Sequence, residues 1–351
     1  MKKKLIVTSL VIATMLTGCN SYTTTTDNNT DTTFELNTTT ANQTESYETS
    51  VDEETVSLQS QEADSSSEAS FEILSGYSYE FSSGAGGWST NFNIEKDGYF
   101  HGNYHDSDMG DNGDEYPNGT LYSSSFSGHF KDLIKIDDYT YEMTMSDITY
   151  ANEPGQEEID TIEGIKIIYS EAYGLTGTDK FLVHLAGKPV NEISEEVYTW
   201  LNMANGESDV LTFPCIENVD QQEGIYSYER MNAAEEAQMT YDSYKSSYDY
   251  FVEENEELNN TYDFLQNAQK RYELADNLLN EIWILVKYNI DEDTFNSVLN
   301  EQREWLKQRD SAAQEGYDSW EGGSFAPVDY ADTQATMTME RCEELLKLLK
   351  D

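Results

Sequence analysis

Two stretches of this sequence carry residue types at spacings that could do chemistry. The first is Leu16-Thr17-Gly18-Cys19, which follows Met1-Lys2-Lys3-Lys4 and an apolar run from Leu5 to Leu16. Lysines ahead of a short apolar segment, then small residues before a thiol, are what a cysteine needs to be acylated and to become the new chain start after export. The run is about a dozen residues, too few for the roughly 20 that span hydrocarbon. The expectation is a lipoprotein signal peptide over 1–18, a palmitate-type lipid on Cys19, and a mature chain anchored by that lipid at the extracellular face of the cell membrane. The second stretch runs from His101 to Glu115. There Asp106, Asp108, Asp111, Asp114 and Glu115 alternate with glycines, and closely spaced carboxylates on a curved backbone are what Ca2+ requires. Counted from Asp106, however, positions five and six hold Gly110 and Asp111, the reverse of an EF-type loop. A solvated loop between strands is the competing expectation. His101 and His105 share a strand face if the strand is straight, but no third zinc ligand stands near them.

No other constellation suggests catalysis. The chain has no Gly-x-Ser-x-Gly elbow, no glycine loop that would cradle phosphate and no His-Glu-x-x-His helix. A carboxylate pair can always be drawn from 68 acids, so pairing alone carries no information. The expectation is a protein that is not an enzyme and that has no cofactor other than calcium. Charge narrows the partners. With 20 Lys and Arg against 68 Asp and Glu, the formal charge is -48. Such a chain lacks the basic footprint of a nucleic-acid binder and would attract basic proteins or cations. Of the three cysteines, Cys19 would be acylated, leaving Cys215 and Cys342 either as one disulfide or as separate thiols.

The elements that must position these residues fall into blocks. Residues 19–70 are rich in Thr, Ser and Glu and cannot bury enough apolar area to fold, so they read as a disordered stalk. Over 71–230 the apolar period is two: Tyr77, Tyr79 and Phe81; Trp88, Phe92 and Ile94; Tyr139, Tyr141, Met143 and Met145. Further strands are expected around Thr120 to Phe130, Gly164 to Tyr169 and Phe181 to Leu185, about eight before residue 190. Lys96-Asp97-Gly98 and Asp137-Asp138 read as hairpin turns, and Glu195 to Leu201 as a short helix. Over 231–351 the period becomes 3.6. Leu258, Tyr262, Leu265, Tyr272, Ala275, Leu279, Ile282 and Val286 mark one stripe ending near Asn289, Asp291 would cap a second helix, and a break at Gly316, Gly322 and Gly323 would precede a last helix from about Asp329. The fold class expected is α+β and multidomain: an antiparallel β barrel or sandwich followed by an all-α domain.

The helical block resembles a known family. The runs Ala275-Asp276-Asn277-Leu278-Leu279-Asn280, Leu299 to Asp310, Gly322-Gly323-Ser324 and Thr338-Met339-Glu340-Arg341 look like the LprI-type lysozyme-inhibitor N-terminal domain, over about residues 260–350. The β region looks like that of other lipoproteins of Gram-positive bacteria. In the helical family, cysteines commonly follow the Arg-Asp pair and the Gly-Gly segment. Here Ala312, Ala313, Asp332 and Thr333 stand in those neighbourhoods, so packing by Trp305 and Tyr330 is expected to hold the helices. The resemblance implies capture of a basic hydrolase such as lysozyme, and Trp305, Arg309, Asp310, Gly322, Gly323 and Arg341 are the candidate binding residues. The same residues have an architectural reading, with Trp305 in the core and Arg309 and Asp310 pairing between helices. The alternative function is recognition of a cell-envelope ligand or glycan by the β domain.

Overall fold

The structure is a computed structural model, and it describes residues 69–350 apart from 85, 256 and 257. Cys19, the signal segment and nearly all of the expected stalk lie outside the described residues. No helix among the described residues is long and apolar enough to cross a membrane.

Ten strands form the β region: β1 (Tyr77–Ser82), β2 (Trp88–Ile94), β3 (Tyr99–Asp108), β4 (Thr120–Lys135), β5 (Thr140–Tyr150), β6 (Glu157–Asp160), β7 (Ile165–Tyr169), β8 (Lys180–His184), β9 (Cys215–Asn218) and β10 (Glu223–Glu229). Eight of them run in the order β3-β2-β1-β10-β9-β8-β5-β4, every neighbour antiparallel, and β4 pairs back onto β3. The sheet therefore closes into an antiparallel barrel, the first of the two architectures expected. β4 is long enough to serve twice. Its first residues, Thr120 to Ser123, also pair in parallel with β7, and β6 pairs with β7 to make a two-stranded wing outside the barrel. Register shifts at His129/Phe130 and Lys131/Ile134, with Asp132 at φ 55°, bend this strand around the barrel wall.

Alternation decides what the barrel encloses. Across β2, β3 and β4 the inner face stacks in rows: Ile94, Phe100 and Gly128; Phe92, Gly102 and Phe126; Thr90, Tyr104 and Ser124; then Trp88, Asp106 and Tyr122 at the end. The two glycines stand beside phenylalanines and make room for them. A Cβ on Gly102 would meet the Asn91 carbonyl at 2.1 Å, and one on Gly128 would meet the Asp147 carbonyl at 2.2 Å and the Phe100 ring at 2.6 Å. The two rows farthest from Trp88 are apolar and packed, as an eight-stranded barrel permits. Polarity rises from the Thr90, Tyr104 and Ser124 row toward the Trp88 end. The turn at Lys96-Asp97-Gly98 forms as expected, with Gly98 at φ 86°.

Helix α1 (Glu195–Asn205) is capped by Ser194, whose hydroxyl accepts the Val197 amide at 3.2 Å. It lies on the outer face of β10 at Gly224, where an added Cβ would stand 2.7 Å from the Val197 carbonyl. Four further helices follow: α2 (Ala233–Glu254), α3 (Thr261–Asn289), α4 (Glu292–Ser319) and α5 (Ala326–Leu348). Each of the first three starts on an Asn or Asp side chain that accepts the amide three residues on: Asn232 from Glu235, Asn260 from Asp263 and Asp291 from Thr294. Their common core joins the tyrosine stripe of α2 (Tyr241, Tyr244, Tyr248) to Leu278 and Ile282 of α3 and to Met339 and Leu345 of α5.

Three expectations shift. Tyr262 is 67 % exposed and so is not part of the α3 stripe. Gly316 lies inside α4, where its bare Cα sits against the Asp329 carboxyl, so the helix runs on to Ser319. The last helix begins at Ala326 because Pro327 is accommodated in its first turn, where no amide is needed. Cys215 and Cys342 are free and buried in different apolar clusters, so the disulfide option does not occur.

The barrel and the helices touch. Arg230, at the junction, donates to Glu95 and to Glu236 at 2.9 Å each, Tyr288 stacks on Tyr99 and donates to Asp97 at 3.0 Å, and Lys270 of α3 bonds Asp160 of the wing at 3.0 Å.

Candidate functional site

Three buried arginines, one from each of α3, α4 and α5, organise the helical region. Arg271 donates to Asn267 at 3.0 Å and pairs with Asp332. Arg309 reaches Asp310 at 3.0 Å, Thr338 at 3.4 Å and Asp276 at 3.5 Å, so one guanidinium joins α3, α4 and α5. Arg341 donates to Gln302 and Glu344 at 2.8 Å each, while its Nη2 has no partner. Between the last two lies Trp305, its ring 5.4 Å from the Arg309 guanidinium carbon and 6.0 Å from that of Arg341. Cation–π contact and charge-assisted bonds thus tie α3, α4 and α5 together. In the neighbourhoods where the resemblance places cysteines, Ala313 is fully buried and Asp332 holds Arg271. Burial pushes the Asp276 carboxyl up, against the pull of Arg309.

The candidate residues therefore divide. Trp305, Arg309 and Arg341 face inward and are occupied in packing, and Asp310 pairs with Arg309 at the surface. Gly322 and Gly323 lie instead in the exposed α4–α5 connection. At that tip Trp320 is 44 % exposed, yet its indole donates to Asp329 at 2.8 Å and its ring packs on Phe325 at 5.2 Å. The next residue, Glu321, takes φ 47°, and Gly322 takes φ 83° in open space. Sequence reasoning passed over Trp320, although one signal was present: residues 310–340 contain seven acids and no lysine, arginine or histidine.

Residues 253–345 match the family model described as Lysozyme inhibitor LprI. No curated protein and no solved structure matches the chain. The LprI-like region holds 22 Asp and Glu against 7 Lys and Arg, a formal -15. Four of those seven cations, Lys270, Arg271, Arg309 and Arg341, are buried. Its solvent face is consequently more acidic than its composition.

Three acids of the barrel's acidic loop already have partners. Asp108 accepts the Gly110 and Asp111 amides at 2.8 and 3.2 Å, Asp106 accepts the Ser107 amide at 2.8 Å, and Asp111 pairs with Lys166 at 2.7 Å and Thr120 at 2.8 Å. The Lys166 ammonium and then the Thr120 hydroxyl hold Asp111 below the usual carboxylate range. Among the described residues no three His, Cys, Asp or Glu side chains gather as metal ligands, so Asp106, Asp108, Asp111, Asp114 and Glu115 are not brought together. His101 bonds Glu95 at 3.2 Å and His105 meets Ser89 at 3.3 Å, each on its own partner.

Proposed function

We propose that this chain is an exported, lipid-anchored binding protein of lysozyme-inhibitor type, which captures a basic hydrolase with its helical end and does not itself catalyse a reaction. The match of residues 253–345 to the LprI model carries the reading. Electrostatics supports it. A domain that buries most of its cations and displays its acids steers a basic partner toward it and raises encounter rates in a salt-dependent way. The contact we assign is the α4–α5 tip, where Trp320 is held by Asp329 and flanked in sequence by Asp318 and Glu321, since tryptophan at a pre-organised position is the residue type that dominates interfaces. Cys19 would moor the molecule outside the cell, with the residues ahead of the barrel as tether.

Titrating the soluble chain from residue 20 onward against lysozyme activity, at low and at physiological salt, tests the proposal. Inhibition that weakens with salt is expected. Unchanged hydrolysis at both salts would overturn it.

A further inference from the structure

The Trp88 end of the barrel differs from the rest of its interior. The two deepest rows are phenylalanine, isoleucine and glycine, and the row of Thr90, Tyr104 and Ser124 leads up to this end. At it, two of the five tryptophans, a tyrosine and a buried carboxylate converge. The rings of Trp88, Tyr173 and Trp200 surround Phe81, with Trp88 to Tyr173 at 5.0 Å and 57° and Trp88 to Trp200 at 6.3 Å and 68°. Rings set at such angles form walls rather than a stack. Tyr173 is 42 % exposed and the two indoles are half-buried, so the cluster reaches solvent.

Glu223 is the unusual member. Two residues before core Ile225 on β10, it faces inward by the strand period and is only 7 % exposed. Its side chain hydrogen-bonds Tyr173, and no lysine or arginine pairs with it among the described residues. A buried carboxyl without a counter-charge is costly, and aromatic faces attract cations. One row deeper, the Ser124 hydroxyl, 4 % exposed, has no hydrogen-bond partner. The segment carrying Tyr173 is fixed in place: Thr90 donates to the Tyr173 carbonyl at 2.6 Å, Asn218 to the Gly174 and Thr176 carbonyls at 2.9 and 3.0 Å, and the Ala172 amide to the Tyr150 hydroxyl at 3.1 Å. Gly174 is obligatory there, since a Cβ would stand 2.6 Å from the Phe81 ring.

The geometry points to a binding site for a small organic ammonium group at this end of the barrel, with Trp88, Tyr173 and Trp200 supplying ring faces and Glu223 the counter-charge. This is separate from the helical tip and stands or falls without it. Calorimetry of the full chain with choline, and with 3,3-dimethylbutanol as its uncharged isostere, at constant ionic strength, provides the test. Saturable choline binding, about tenfold or more tighter than the alcohol, is expected. Glu223→Gln and Trp88→Leu should each weaken it by about the same factor, and Glu223→Gln should do so without lowering the melting temperature. Equal binding of choline and the alcohol, absence of saturation, or full affinity in a folded Glu223→Gln protein would overturn the assignment. If either variant fails to fold, the wild-type comparison of the two ligands decides alone.

Discussion

Lys270 on α3 and Asp160 at the end of β6 form a 3.0 Å ion pair, both side chains nearly buried, and through it the wing of the barrel is tied to the helical region. Three more carboxyls, Glu158, Glu163 and Glu273, act on the same site. One ammonium therefore serves several acids.

Removing that ammonium should be expensive. Lys270→Met leaves Asp160 buried and unpaired, and we expect a loss of about 3 kcal/mol. Urea unfolding of the variant measures it. A midpoint equal to wild type would show that the pair is not a tie.

Acid should act in two opposite phases. Burial alone would raise Asp160, but Lys270 and the Glu163 and Ile162 amides outweigh it and hold the carboxyl low. A lowered carboxyl contributes stability above its unfolded pKa that is lost as pH falls through its folded value, so this contribution disappears only below about pH 4. Glu273 is raised by burial, against the pull of Lys270. Its cost at neutral pH is relieved as its proton binds above the value of the unfolded chain. Stability should therefore rise from pH 7 toward about 5 and fall below about 4. Urea midpoints across that range provide the check, and Glu273→Gln should flatten the rise; a steady decline from neutrality would contradict this account.

Two glycines offer a paired control. Gly102→Ala forces a methyl into the Asn91 carbonyl and the Phe92 side chain, and should cost about 3 kcal/mol or prevent folding. Gly76 has nothing within 4 Å, so Gly76→Ala should change stability by less than about 1 kcal/mol. Thermal melts of both variants decide.

Trp320→Ala and Trp305→Ala should separate capture from architecture. Loss of Trp320 leaves the helical core intact and should weaken hydrolase binding about tenfold or more with little change in melting temperature. Loss of Trp305 withdraws the ring between two guanidinium groups and should destabilise by about 3 kcal/mol. If both variants bind alike and Trp320→Ala melts lower, the tip is structural.

Much of this architecture was legible from residue patterns, where local signals and tertiary demands agree. Alternation at Tyr77, Tyr79 and Phe81 located β1, and Asp291 announced the start of α4, because the period and the cap act within a few residues. What escaped notice depends on distant partners. Closure of β4 onto β3 as a barrel rather than a sandwich is a matter of global pairing. Gly316 sits within a helix because Asp329 of the next helix lies against it. The acids from Asp106 to Glu115 read either as a solvated loop or as calcium ligands, and neither reading showed that Lys166, 55 residues beyond Asp111 in the chain, bonds it. Trp305 and Trp320 could not be told apart by type. Only the packing of α5 places one inside and the other at the tip.

The two sheltered sulfurs have a practical corollary. Burial pushes the thiols of Cys215 and Cys342 well up, so neither ionises nor meets solvent in the folded protein. The described fold is closed by packing and not by a cross-link, so it should keep its melting temperature in reductant.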